Sequence, residues 1–258
     1  MTWYQAGIKR SATLFLLAAV LLAGSCLHPP AAPVPVLPDP CAEATIAAKK
    51  ATLFSKHIVY STALAAITRA AVDQNEHAVS FGRTFSDSLI HSAISNGVAN
   101  TTIVPAITHR FADLHNHPGN RPPSSGDLYH FIDQAMTNNG RYQKFIVLPN
   151  GTQYALVLVN ATAAEMFNIR YPRVRGIRDT LAQTQYQPTF PKALVEEINQ
   201  LKGWYGASEE AAMALILQKY NTGVALLKRG DDGNFKKVYT MKQEKDGTLI
   251  YTAYTCPD

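Results

Sequence analysis

The sequence predicts a mixed α/β domain, a layered sheet with flanking helices. Apolar residues are 47% of the 258 and charged residues 17%, the balance of a chain that folds round a core. Helical and strand-like patterns are interspersed along it, as a layered α/β or α+β domain requires. Asn150-Gly151, Asp232-Gly233 and Asp246-Gly247 each sit between two strand-like runs, where such pairs make tight hairpin turns.

Ahead of that domain lies a different kind of segment. Lys9 and Arg10 precede the apolar run Leu14 to Ala23, which leads into Gly24, Ser25 and Cys26. A basic start, a short apolar core and small residues make a secretory signal over residues 1–25. The run is too short to span a bilayer as a helix. LAGSC, residues 22–26, resembles a bacterial lipobox, which implies that Cys26 is acylated and becomes the first residue of the mature chain. The alternative is an ordinary secretory signal with Cys26 incidental. Residues 28–40 hold six prolines. Proline favours extended polyproline II, so residues 26–42 form a semi-rigid spacer that would hold a domain off a membrane. The expected location is the bacterial cell envelope, lipid-anchored. Cys41 and Cys256 are then the remaining cysteines, and export permits a disulfide between them. The formal charge of +5 is dispersed without a Lys/Arg run, so no nucleic-acid partner is expected.

The elements follow in order. Glu43 to Asp73, rich in Ala, Leu, Ile and Lys, predicts one long helix or two short ones. Glu76 to Arg83 and Thr101 to Thr108 read as strands, and His109 to His117 ends as one. From Asp127 to Asn138 the apolar residues Leu128, Phe131, Ile132, Ala135 and Met136 fall at i, i+3, i+4, i+7 and i+8, the stripe of an amphipathic helix. Lys144 to Leu148 and Tyr154 to Val159 are strands. Two helices follow, about Lys192 to Leu201 and Ser208 to Lys219. Gly223 to Lys228, Asn234 to Met241 and Thr248 to Thr255 are strands. The sequence has no internal repeat.

Chemistry concentrates in FADLHNHPGNRPPSSGDLYHFI, residues 111–132. Six of the eight histidines lie between His77 and His130. Side chains alternate along a strand, so His115 and His117 point to one face and can reach one ion. Asp127 opens the next helix after a proline-rich loop and can bring a carboxylate to the same point. Two imidazoles and a carboxylate suit zinc and leave a fourth position for water. The bland alternative is a capping pattern, with Ser124 three residues before Asp127.

His115-x-His117-Pro118, then Ser124-x-x-Asp127 opening an amphipathic helix, resembles the signature of the JAB/MPN (JAMM) metalloproteases. The downstream stretch LPNGTQYALVLV also resembles the strand pair that follows the helix in such domains. The resemblance covers residues 43–160 and leaves residues 161–258 as an α/β extension. It implies a cytidine-deaminase-like layered sheet. It further implies zinc held by His115, His117 and Asp127, a base at Glu76 in NEHAVSFGR, and an oxyanion donor at Ser124. Nine residues separate His117 from Asp127, one fewer than is common in the family, so Ser125 competes with Ser124 for the serine role. The implied reaction is hydrolysis of a peptide or isopeptide bond. A non-catalytic MPN-like scaffold or binding module is the alternative, and an effector released towards another cell is a third. DLHNHP also resembles the first motif of PHP-type phosphoesterases, but those sites need further histidines and none follows His130. His130, three residues after Asp127 on the same helix face, reads as a surface residue, the alternative being a group that backs the metal ligands, and His109 reads as structural. His77 should face away from Glu76, while Trp204 and Tyr205 fit either a core or a lid. Asn100, Asn150 and Asn160 begin glycosylation sequons that mean little in a bacterial lipoprotein.

Overall fold

The computed structural model describes residues 39–175 and 188–257. The signal segment, Cys26 and nearly all of the proline-rich spacer lie outside the described residues, so the lipid anchor does too.

A short 3-10 turn, Ala42–Ala44, leads into α1 (Thr45–Ser55) and α2 (Ile58–Ala70). The break between the helices is local: His57 is extended and its ring accepts from the Val59 amide at 3.2 Å, capping α2. Then come β1 (His77–Arg83), β2 (Leu89–His91), β3 (Ser95–Asn96) and β4 (Ala112–Asn116). Helix α3 (Ser125–Thr137) carries the chain to β5 (Gln143–Val147) and β6 (Gln153–Leu158). After α4 (Ala161–Arg170) a two-stranded ribbon joins β7 (Val174–Arg175) to β8 (Pro188–Thr189). Helices α5 (Lys192–Trp204) and α6 (Glu209–Lys219) precede β9 (Val224–Arg229), β10 (Phe235–Lys245) and β11 (Thr248–Thr255).

The main sheet runs β11-β10-β9-β6-β5-β4-β1-β2, with β3 also on β1. Only β4 and β5 are parallel, joined across α3; every other pair in the sheet is antiparallel. Strands β9 to β11 extend the same sheet through β6. Cys41 and Cys256 form a disulfide, Cα to Cα 5.6 Å, that ties the start of α1 to the end of β11.

Alternation sorts the sheet's two faces. Ala112, Leu114, Phe145, Val147, Ala155, Val157, Ala225 and Leu227 pack against α1 and α2. Ile146, Tyr154, Leu156, Val224 and Leu226 pack against α3, α4 and α6. The result is a three-layer α/β/α arrangement. On β4, with even positions facing α1 and α2, the odd positions Asp113 and His115 must face α3.

Two expectations need correction. Thr101 to Thr108 is not a strand. One edge of β1 is taken by β4 and the other by β2 and β3, and Thr101 makes only an isolated bridge to Val98. Pro105, which lacks an amide donor, instead offers its carbonyl to Ser80 Oγ at 2.5 Å and Arg110 at 3.3 Å. Helix α4 was not expected: Asn160, which begins a sequon, is its N-cap and accepts from the Ala163 amide at 3.0 Å. Trp204 ends α5 and is exposed.

Candidate metal centre

Three devices bring Glu76 to the histidines. The β1–β4 register pairs Ala78 with His115, so Glu76, just ahead of β1, falls level with His117. Asn116, between the two histidines, accepts from the His77 amide at 2.7 Å and donates to the Asn75 carbonyl at 2.8 Å. On the other side, the Glu76 amide donates to Val98 at 3.0 Å and its carbonyl accepts from Gly97 at 2.8 Å. Glycine is required there, since a Cβ on residue 97 would lie 2.2 Å from the Thr101 oxygen and 2.7 Å from that of Glu76. His77 points the other way, between Asp73 and Asn96, each at 2.9 Å.

His115, His117 and Asp127 converge. The two Nε2 atoms are 3.1 Å apart. His115 Nε2 is 3.0 Å from Asp127 Oδ1, and His117 Nε2 is 3.2 Å from Asp127 Oδ2. These are close to the ligand–ligand edges of roughly 3.3 Å that a tetrahedral ion with bonds of about 2.0–2.1 Å would require. The donor chemistry agrees. His117 Nδ1 donates to the Arg121 carbonyl at 3.0 Å, an acceptor only, so in the neutral ring Nε2 presents a lone pair. Asp127 Oδ2, opposite it, already accepts from the Ser124 amide at 2.8 Å and the Ser124 hydroxyl at 2.7 Å. The lone pairs of His117 Nε2 and Asp127 converging on one point call for a cation among them, either a proton on His115 or a metal ion. This half-buried to buried group can hold a metal ion.

Ser124 and Asp127 form a full capping box, with the Asp127 amide donating to Ser124 Oγ at 3.1 Å. The capping pattern and the ligand pattern are therefore one structure, and capping sets the aim of the carboxylate. Ser125 turns instead to Thr189, Oγ to Oγ1 at 3.3 Å. Glu76, His115, His117, Ser124 and Asp127 all line one cleft of about 530 Å³. Cys41 and Cys256 lie outside it, bonded to each other.

Reading the sequence alone missed a buried network behind the ligands. Asp113 lies on the same face of β4 as His115, 3.6 Å from its Nδ1, too far for a hydrogen bond. It accepts from Lys144 at 2.9 Å and from the Tyr142 hydroxyl at 2.5 Å, all three side chains being buried. Asp113 and Lys144 are register partners on β4 and β5, and Lys144 also reaches within 3.9 Å of Asp127. The period-2 rule applied to ADLHN flags Asp113; nothing in the sequence flags Lys144, because its partner comes from the strand pairing. His130 is a correction: it is not a surface histidine but lines the cleft, with a buried Nδ1 that has no hydrogen-bond partner among the described residues.

Charge follows from this packing. Burial and Lys144 press the His115 pKa down, yet Asp127 and Asp113 outweigh them and lift it to about 9. Burial alone would raise Asp127, but His115 and His117 hold its carboxyl well below the usual range. Burial raises the Glu76 carboxyl against the pull of the two histidines. His130, pushed down to about 4 by burial and then by Lys144, is neutral at pH 7.

The chain matches no protein-family model and no curated protein.

Proposed function

We propose that this domain is a zinc metallopeptidase of the JAB/MPN type, cleaving a peptide or isopeptide bond at a bacterial cell envelope. The observation that carries the reading is the convergence of His115, His117 and Asp127 beside Glu76 in one cleft. Zinc bound there would polarise the scissile carbonyl and bring a water's pKa to about 7. The chain's residues supply the rest. His115, His117 and Asp127 hold the ion. The Glu76 carboxylate takes a proton at its oxygen and returns it to the leaving amine. Its burial-raised pKa brings it nearer the working pH, where a general base is most effective. Zinc stoichiometry together with turnover of general peptide and isopeptide substrates tests the assignment.

Ser124 has a more specific part than an oxyanion donor alone. Its one hydroxyl proton goes to Asp127, so it orients a ligand. Ser124→Ala is expected to weaken metal binding by roughly 10–100-fold, as loss of an outer partner of a ligand does. A pure oxyanion donor would instead lower turnover by about 10²-fold with metal affinity unchanged. A metal titration of the variant decides between them. The same hydrogen bond is the feature that favours a non-catalytic, metal-binding scaffold, since it leaves no serine proton for an oxyanion.

Anchoring is tested separately. Cys26→Ser is expected to move the protein from the membrane to the soluble fraction or to block its processing. An intact mass of the wild type that shows no lipid would refute the anchor.

A further inference from the structure

We propose that Arg110 forms a carboxylate-binding end of the same cleft, and that the substrate carries a carboxylate two or three residues from the bond to be cut. The spacing to the cut bond rests on the metallopeptidase reading; the carboxylate site does not.

Apart from the metal-site histidines, three lysine or arginine side chains among the described residues line the cleft: Arg110, Lys144 and Arg173. Two are matched by acids. Lys144 pairs with Asp113 at 2.9 Å, and Arg173 takes Asp133 through both terminal nitrogens, at 2.5 and 3.4 Å. Arg110 is matched by none among the described residues. It donates to the Pro105 carbonyl at 3.3 Å and to Gln134 Oε1 at 2.5 Å, and its guanidinium lies 5.8 Å from the centre of the Tyr142 ring. These neutral groups hold the guanidinium in place without cancelling its charge. A guanidinium has five N–H donors, so donors remain for a ligand, and its planar fork fits a carboxylate through two parallel hydrogen bonds. A half-buried cation without a counter-charge is costly, and an incoming carboxylate relieves that cost. A phosphate would ask for several unmatched cations, and the other two here are already paired.

The helix sets the distance. Asp127, His130 and Gln134 lie at i, i+3 and i+7, one face of α3. Asp127 is at the metal-binding end, and Gln134 holds Arg110 at the other. Seven residues of helix rise about 10 Å. An extended peptide covers about 3.3–3.6 Å per residue, so two or three residues bridge the gap. His130 lies between them on the cleft wall. A substrate of this kind ends shortly after the scissile bond, or bears an acidic side chain there.

The test is calorimetric binding to the full-length Glu76→Gln protein, with and without zinc. Three probes are compared: acetyl-tetraalanine as the free acid, the same peptide as its C-terminal amide, and an amide whose last residue is glutamate. The free acid is expected to bind roughly tenfold more tightly than the plain amide, the scale of a charge-assisted pair. Arg110→Gln, which removes the charge and the terminal fork, should abolish that preference. Arg110→Lys, a point charge without the fork, should keep part of it. If the glutamate amide binds as the free acid does, a side-chain carboxylate serves; if it binds as the plain amide does, the chain terminus is required. Equal or undetectable binding of all three probes, or a preference that survives Arg110→Gln, overturns the proposal. A protein that takes up no zinc yet keeps an Arg110-dependent preference refutes the metallopeptidase reading and leaves this site standing.

Discussion

Glu76→Gln is expected to leave the metal in place and to slow hydrolysis by roughly 10²–10⁴-fold, whereas His117→Ala should remove both metal and activity. The difference lies in what each side chain supplies. Glu76 is held by its backbone, through Val98 and Gly97, and its carboxyl is not one of the converging ligand atoms. Glutamine keeps its shape and its neighbours and deletes only the proton acceptor. His117, by contrast, presents Nε2 to the cluster from a ring whose other nitrogen is fixed on Arg121, so alanine removes a preoriented ligand. Metal content by mass spectrometry and turnover of a general peptide or isopeptide substrate, measured on the same preparations, separate the two classes. A Glu76→Gln enzyme as active as wild type, or a wild type that takes no zinc, would refute the metallopeptidase and favour the scaffold.

What was legible in the sequence is what local periodicity encodes. His115 and His117 share a face because strand side chains alternate, and Asp127 joins them because a capping serine starts a helix there. Glycine-containing pairs marked the β5–β6, β9–β10 and β10–β11 turns, and the stripe from Leu128 to Ala135 marked the buried face of α3. What was not legible depends on pairing between distant strands. Lys144 looks like an ordinary charged residue at the head of an apolar strand until β4 and β5 lie side by side and place it on Asp113. Thr101 to Thr108 has strand-like composition, but pairing is a property of neighbours, and β1 had none to offer. His130 was misread for a similar reason: it lies off the apolar stripe of α3, and only the docking of α3 over the sheet turns that side of the helix to the cleft. Arg110 likewise gains its meaning from Gln134, 24 residues away, and from the Pro105 carbonyl.

Removing the Cys41–Cys256 bridge is expected to destabilise the domain without disturbing the cleft. The bridge closes a loop of 215 residues. Chain-entropy reasoning assigns such a closure about 5 kcal/mol, acting on the unfolded ensemble. For a domain of this size that corresponds to a fall of roughly 10–20 °C in Tm. The native contacts at this junction do not depend on the sulfurs. The Phe235 amide donates to Thr52 Oγ1 at 2.8 Å, Lys56 reaches Asn234 at 2.9 Å, and the Cys256 amide donates to Lys237 at 2.8 Å. Helix α1 therefore stays on β10 after reduction, and the candidate metal ligands, carried by β4 and its following loop and by α3, keep their positions. Calorimetric melting of wild type with and without reductant, and of Cys41→Ser/Cys256→Ser, measures the effect, while metal stoichiometry below the melting temperature should be unchanged. A shift of less than about 2 °C would mean that these contacts, or residual structure in the reduced chain, already confine the two ends. Loss of metal on reduction would mean instead that the sheet transmits strain from its β11 edge to β4, against the independence that the register and packing of the two regions imply.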